Sequence, residues 1–370
     1  MPSLLQRLMN ATRLTRSGDL RAATAAIQAA LADGAAAASA PAASQSAAND
    51  PRVIDVAARV VEVPTSENAT PPDIGEGAGA PSQPLPRRSG NAQFIAGSYA
   101  CSAGARDYKL FVPPGAGARA LPLVVMLHGC TQSPEDFAAG TAMNDAALEH
   151  GFFVLYPAQS QRANPQRCWN WFKHNHQARG RGEPEILAGM TRDVMARHAI
   201  DPARVHVAGL SAGGAMAAIL GDAYPDLFAA VGVHSGLATG IAKDLPSALG
   251  AMKGAGARPN GAASGVPTIV FHGDADTTVH PGNGEHVVTA SAGGAQGEVE
   301  TGTSPGGRGY TRRVHRLAGG EVVAEHWVVH GAQHAWSGGS ATGSYTDPRG
   351  PDATGEMIRF FMEHPHRRTH

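Results

Sequence analysis

The chain has 370 residues, with 30 Lys plus Arg against 31 Asp plus Glu and a formal net charge of −1. That length allows one large catalytic domain with extensions. The balanced charge supplies no basic field for nucleic acid or an anionic membrane, and no stretch is long and apolar enough to span a bilayer.

The chain divides into three parts: residues 1–33, 34–92 and 93–370. Leu4, Leu5, Leu8 and Met9 recur at helical spacing, Gly18-Asp19 interrupts the pattern, and Leu20 to Leu31 resumes it. The spacing predicts a pair of short helices. Arg7, Arg13 and Arg16 interrupt any apolar core of the length that a secretory signal requires. A docking or oligomerising helix pair is therefore favoured over a targeting peptide. Residues 34–92 are rich in Ala, Pro, Ser and Gly and read as a flexible linker, with a small apolar island from Arg52 to Val63.

From residue 93 extended and helical patterns alternate. Extended segments are expected near Tyr108–Val112, Leu123–Leu127, Phe152–Tyr156, Val205–Ala208, Ala229–Val233, Thr268–Phe271 and Val322–Val329. Helical patterns include Ile186–His198, Gly214–Ala223 and Thr354–Glu363. The alternation predicts an α/β fold with a mostly parallel central sheet flanked by helices. The Tyr108 segment is expected as an antiparallel edge strand. Residues 237–265 lack a clear strand and are expected as a cap.

The chemistry-bearing stretch is Gly209-Leu210-Ser211-Ala212-Gly213, set between a β-branched run ending at Ala208 and an Ala-rich helical pattern. In a chain with 46 glycines the pentapeptide alone is weak. Its strand-turn-helix context marks the nucleophile elbow of an α/β-hydrolase. A serine hydroxyl needs a base to take its proton, and in this fold the partners follow in the order serine, acid, histidine. The run Val266–Phe271 ends in His272-Gly273-Asp274-Ala275-Asp276, which places two carboxylates at the carboxyl end of a strand. Either could be the acid, since Asp274 could instead cap the turn. Among 17 histidines, His334 follows the Val322–Val329 strand on a loop able to return over the serine. His330 and His280 are weaker candidates. The loop His128-Gly129-Cys130-Thr131 follows another strand, so the N–H groups of Ala212 and Cys130 are the expected oxyanion donors.

The segments Arg106–Pro113, Leu127–Gln132, Cys168-Trp169-Asn170-Trp171-Phe172, Asp201–Val205, Ala208–Gly214 and Val233–Gly236, with those holding Asp276 and His334, carry a family resemblance. Over roughly residues 93 to 364 the chain resembles polyhydroxybutyrate-depolymerase-type esterases of the α/β-hydrolase superfamily. The resemblance implies Ser211 as nucleophile, Asp276 as acid and His334 as base. It implies hydrolysis of hydroxyalkanoate oligomers or related short acyl esters without a metal or organic cofactor. Feruloyl or acetyl xylan esters are the alternative substrates, and a non-catalytic binding protein on the same scaffold is the alternative of another class. It also implies an extracellular protein, whereas the absence of a recognisable signal reads as cytoplasmic. The N-terminal helices resemble a hairpin that some such esterases carry before the catalytic domain.

Aromatic residues make up only 5% of the chain, so the tryptophans are conspicuous. Trp169, Trp171 and Trp336 are expected as substrate contacts, because flat rings can cover an apolar acyl chain. Cys130 and Cys168 both fall near the expected site. A disulfide between them would pin the oxyanion loop to the Trp loop; the other possibility is two reduced, small apolar residues. No Cys/His spacing suits zinc, and no P-loop or dinucleotide fingerprint occurs.

Overall fold

The computed structural model describes residues 91–255, 265–293, 295 and 297–366. The expected N-terminal helix pair and the linker up to residue 90 lie outside the described residues. The described residues form one compact unit.

That unit runs β1 (Gln93–Cys101), β2 (Gly104–Val112), β3 (Leu121–Leu127), α1 (Pro134–Thr141), α2 (Met143–His150) and β4 (Phe153–Pro157). It continues through α3 (Gly182–Arg197), β5 (Ile200–Leu210), α4 (Ala212–Ala223), β6 (Ala230–His234), α5 (Leu245–Met252) and β7 (Thr268–Gly273). The last elements are α6 (Gly282–Ala292), β8 (Gly297–Thr303), β9 (Gly309–Arg316), β10 (Val322–Val329), β11 (Trp336–Ser337), β12 (Thr346–Asp347) and α7 (Ala353–Glu363).

Ten strands form one sheet in the order β1-β2-β4-β3-β5-β6-β7-β10-β9-β8. The strands from β4 to β10 in that order are parallel, and an antiparallel pair flanks them on each side. The reason lies in the side chains. The central strands are buried on both faces and mostly apolar, as parallel strands covered by helices are. In β3, Leu123, Val125 and Leu127 join a core with α3, α4 and α6, while Val124 and Met126 join a second core with α1, α2 and α7. Each fully buried Leu or Val contributes roughly 1.5–3 kcal/mol of hydrophobic stabilisation.

The helix starts follow local chemistry. Ser133 caps α1 by accepting from the Asp136 N–H, with Pro134 at the first turn. Asp244 and Ser247 form a reciprocal capping box on α5.

The structure corrects one expectation and adds two elements that the sequence pattern did not show. The Tyr108 segment is antiparallel but not at the edge, because β1 pairs outside β2. Most of β1 is exposed, so it carries no buried alternation to read. The hairpin β8–β9 was also absent from the expected strands; β8 is mostly exposed and β9 mostly half-buried, with Arg312 bridging Glu300 to the buried Glu325. Finally, the expected cap contains the helix α5, and the adjoining residues 256–264 lie outside the described residues.

Candidate active site

The serine sits where β5 turns into α4. Ser211 adopts φ 58° and ψ −120°, a conformation costly for a residue with a side chain. Two contacts hold it there: its N–H donates to the His234 carbonyl at 2.9 Å, and its carbonyl accepts from the Ala215 N–H at 2.9 Å. The flanking glycines are sterically required. A Cβ on Gly209 would lie 2.7 Å from the Leu127 carbonyl oxygen, and one on Gly213 would lie 2.6 Å from that of His128. The turn therefore closes only with bare backbone at both positions, which is the physical content of the G-x-S-x-G pattern.

Asp276 follows the carboxyl end of β7 and is buried. Its Oδ2 accepts from His334 Nδ1 at 2.7 Å, and its Oδ1 accepts from the N–H groups of Thr278 and Val279 at 2.9 and 2.8 Å. His272 Nε2, which donates to the Val279 carbonyl at 2.8 Å, stands 3.5 Å from the same carboxylate. Burial pushes the Asp276 carboxyl up. The hydrogen bonds from His272 and His334, with the Val279 N–H, outweigh it and hold the group well below the usual carboxylate range. Asp276 is therefore a fixed anion. Because His334 donates through Nδ1, its Nε2 is left as the basic nitrogen.

The competing residues are accounted for elsewhere. Asp274 accepts from His330 Nδ1 at 2.9 Å and from the Gly331 N–H at 2.6 Å, and both side chains are well exposed. It caps the turn, and it occupies His330. The His280 ring accepts from the Gly282 N–H within its own exposed loop.

Ser211 and His334 open onto one cavity of about 560 Å³, which is also lined by Gly129, Cys130, Gln132, Met252, Thr278 and Tyr345. Ala212 is the first residue of α4, so its N–H has no acceptor within the helix. In the facing loop, the Gly129 N–H donates to Gln132 Oε1 at 2.9 Å and the Thr131 N–H to the Gln166 carbonyl at 2.7 Å. Among the described residues no acceptor takes the Cys130 N–H. The two expected oxyanion donors are thus among the backbone groups left unspent beside the serine.

Cys130 and Cys168 form a disulfide, and Cys101 is free. The bridge ties the oxyanion loop to the Trp loop across a sequence separation of 38 residues. A loop of that length corresponds to stabilisation on the order of 4 kcal/mol through the unfolded chain. Unfolded without reductant, the protein is expected to titrate one thiol, and with reductant all three. Three thiols without reductant would remove the bridge.

The tryptophans are not where the sequence suggests. Trp169, Trp171 and Trp336 are all buried and none lines the cavity. Trp169 donates through Nε1 to the His128 carbonyl at 3.1 Å, and Trp171 packs edge-on against Phe172. Trp336 donates to Thr354 Oγ1 at 3.0 Å and stacks on His234, whose Nε2 accepts from the Ser337 N–H. They brace the loops that carry the site.

The aromatic group on the cavity is Tyr345, which the sequence reading missed. It is 45% exposed and holds φ 53°, and its hydroxyl lies 3.2 Å from Thr131 Oγ1. The available signal was a lone aromatic in a Gly- and Ser-rich loop after the candidate base. Among the described residues no group of three or more His, Cys, Asp or Glu side chains is arranged to hold a metal ion, and no helix is long and apolar enough to cross a membrane.

Comparison with known proteins bears on the family and the fold. Poly(3-hydroxyalkanoate) depolymerase C of Paucimonas lemoignei is 33% identical over 246 residues, spanning 63% of this chain and 59% of that protein. Feruloyl esterase B of Thermothelomyces thermophilus is 33% identical over 128 residues, 34% of this chain and 43% of that one. The chain thus spans about three-fifths or less of the length of these relatives. The acetyl xylan esterase structure from Aspergillus awamori superposes with a TM-score of 0.59 at 18% identity, covering 74% of this chain and all of that one, which establishes the α/β-hydrolase fold. The family model described as Esterase PHB depolymerase matches residues 106–296, just over half of the chain, and the protein belongs to that family.

Proposed function

We propose that the chain is a serine carboxylesterase that cleaves hydroxyalkanoate oligomers or related short acyl esters through an acyl-enzyme. One observation carries this reading: His334 is bonded to the buried Asp276 at 2.7 Å and opens, with Ser211, onto a single cavity. In the proposed mechanism His334 Nε2 takes the Ser211 proton. Asp276 holds the imidazole in the required tautomer and offsets its developing charge. Ser211 attacks the ester carbonyl, and the N–H groups of Ala212 and Cys130 receive the oxyanion. His334 returns the proton to the leaving alcohol. Water, with its proton taken by His334, then releases the acid.

The depolymerase relative supports the oligomer substrate. Tyr345 favours a second reading, in which the acyl group is flat or aromatic as in a feruloyl ester, because its exposed ring lines the cavity. An aromatic stack is worth about 0.5–1.5 kcal/mol beyond area burial. Tyr345→Ala is accordingly expected to raise KM for esters with aromatic acyl groups by roughly threefold to tenfold, with acetyl esters little changed. An equal change for both classes would remove the stacking role. The bound pair of Asp276 and His334 opposes the non-catalytic reading. The disulfide supports an oxidising, extracellular setting. Residues 1–33 are proposed to mediate docking or oligomerisation.

The test is turnover of a graded p-nitrophenyl ester series beside 3-hydroxybutyrate oligomers, with Ser211→Ala as control. Serine-dependent cleavage of the oligomers supports the depolymerase-type reading. Cleavage of simple esters alone leaves a general carboxylesterase, and no serine-dependent cleavage overturns the proposal.

A further inference from the structure

His128 ends β3's approach to the oxyanion loop, and its ring is buried away from the cavity. Its partners determine its tautomer. The Gln159 N–H donates to His128 Nε2 at 3.1 Å, so that nitrogen carries a lone pair. His128 Nδ1 lies 2.7 Å from the Gly129 carbonyl oxygen, which can only accept, so Nδ1 carries the proton. Burial lowers the ring's pKa to about 4, which keeps it neutral at ordinary pH.

The bond matters because of what lies on the other side of the peptide. The Gly129 carbonyl and the Cys130 N–H belong to one planar trans unit and point in opposite directions. Anchoring the carbonyl to a buried ring behind the loop fixes where the N–H points in front of it. Gln132 Oε1 holds the preceding N–H, and Trp169 holds the His128 carbonyl. The Cys130 N–H is the group left unspent at the cavity.

We propose that His128 is a positioning residue: its ring, protonated on Nδ1, holds the Gly129–Cys130 peptide so that the Cys130 N–H faces the developing oxyanion. The proposal rests on the serine-esterase reading above. Oxyanion donors act only when preorganised toward the transition state, so the effect belongs to kcat and not to binding.

Two substitutions separate the two ring nitrogens. In His128→Asn the amide nitrogen can take the place of Nδ1 and still donate to the Gly129 carbonyl. In His128→Gln the amide reaches the Nε2 position, can accept from Gln159, and leaves the Gly129 carbonyl only the longer 3.4 Å bond from the Gln132 N–H. His128→Gln is expected to lose roughly 10- to 100-fold in kcat on a short p-nitrophenyl ester with KM little changed, while His128→Asn stays within about threefold of the parent. Equal losses in both variants, or a change confined to KM, would overturn the proposal. The imidazole ¹⁵N shifts of the unmodified protein give a second readout that needs no variant to fold. An Nδ1-protonated ring supports the proposal and an Nε2-protonated ring overturns it. Parent protein without Ser211-dependent turnover would overturn the esterase reading, and this proposal with it.

Discussion

Replacing Ser211 with Ala is expected to lower kcat on a short ester by a factor on the order of 10⁶, to the residual level that oxyanion donors and binding alone sustain. The physical reason is that the three groups act as one unit. The Asp276–His334 bond is formed in the resting protein, but its free nitrogen has no proton to take once the hydroxyl is gone. The fold should survive. Ser211 is positioned by its backbone, through bonds to His234 and Ala215, and its side chain caps nothing in α4. The variant should therefore retain the parent's melting temperature within a few degrees. Kinetics of the purified variant decide the matter: turnover within a hundredfold of the parent would mean that another residue is the nucleophile.

The second large effect is on stability in acid. His128, His206, His234 and His326 are each almost fully buried, and burial lowers their pKa values, to about 4 for His128 and about 3 for the other three. In the unfolded chain a histidine titrates near 6.5. Above that pH both states are neutral and the contribution to stability is fully present. As pH falls from about 6.5 toward the folded values, the unfolded chain binds protons that the native protein excludes. Each such group then removes about 1.4 kcal/mol per pH unit, so four remove on the order of 5 kcal/mol per unit. Asp276 acts in the same direction at lower pH, since its folded carboxyl is held down and its contribution is lost on protonation. Domain stabilities are about 5–15 kcal/mol, so cooperative unfolding is expected above roughly pH 4. Circular dichroism against pH checks it, and a native spectrum at pH 3.5 would contradict it. His206→Leu should shift the transition to lower pH, because neither nitrogen of that ring has a hydrogen-bond partner and the ring stacks on Phe361.

Much of the site was legible because it is dictated by backbone geometry. Gly209 and Gly213 are required by close approach to the Leu127 and His128 carbonyls, so the glycine spacing reports the turn directly. The carboxyl end of β7 and the loop after β10 likewise follow from strand patterning, which marked two carboxylates and His334 as candidates. The choice between Asp274 and Asp276 was not legible from spacing. It depends on which carboxylate the distant Gly331 and His330 occupy.

The tryptophans show the other limit. Residue type suggested contact surface, yet exposure is set by packing against residues remote in sequence, such as Thr354 for Trp336. Tyr345 was hidden for a related reason. Its loop has no hydrophobic period, and it is held by Asp136 and Gln132 through Ser344, contacts spanning more than 200 residues. The β8–β9 hairpin escaped because its charged and polar residues, exposed in β8 and half-buried in β9, leave no apolar alternation to read.

Covalent labelling of the native protein with a fluorophosphonate, followed by peptide mass spectrometry and an ester assay, tests whether Ser211 is the nucleophile. A single adduct on Ser211 is expected, with loss of turnover in proportion to labelling. An adduct on another residue, or full labelling of Ser211 with turnover intact, would contradict it.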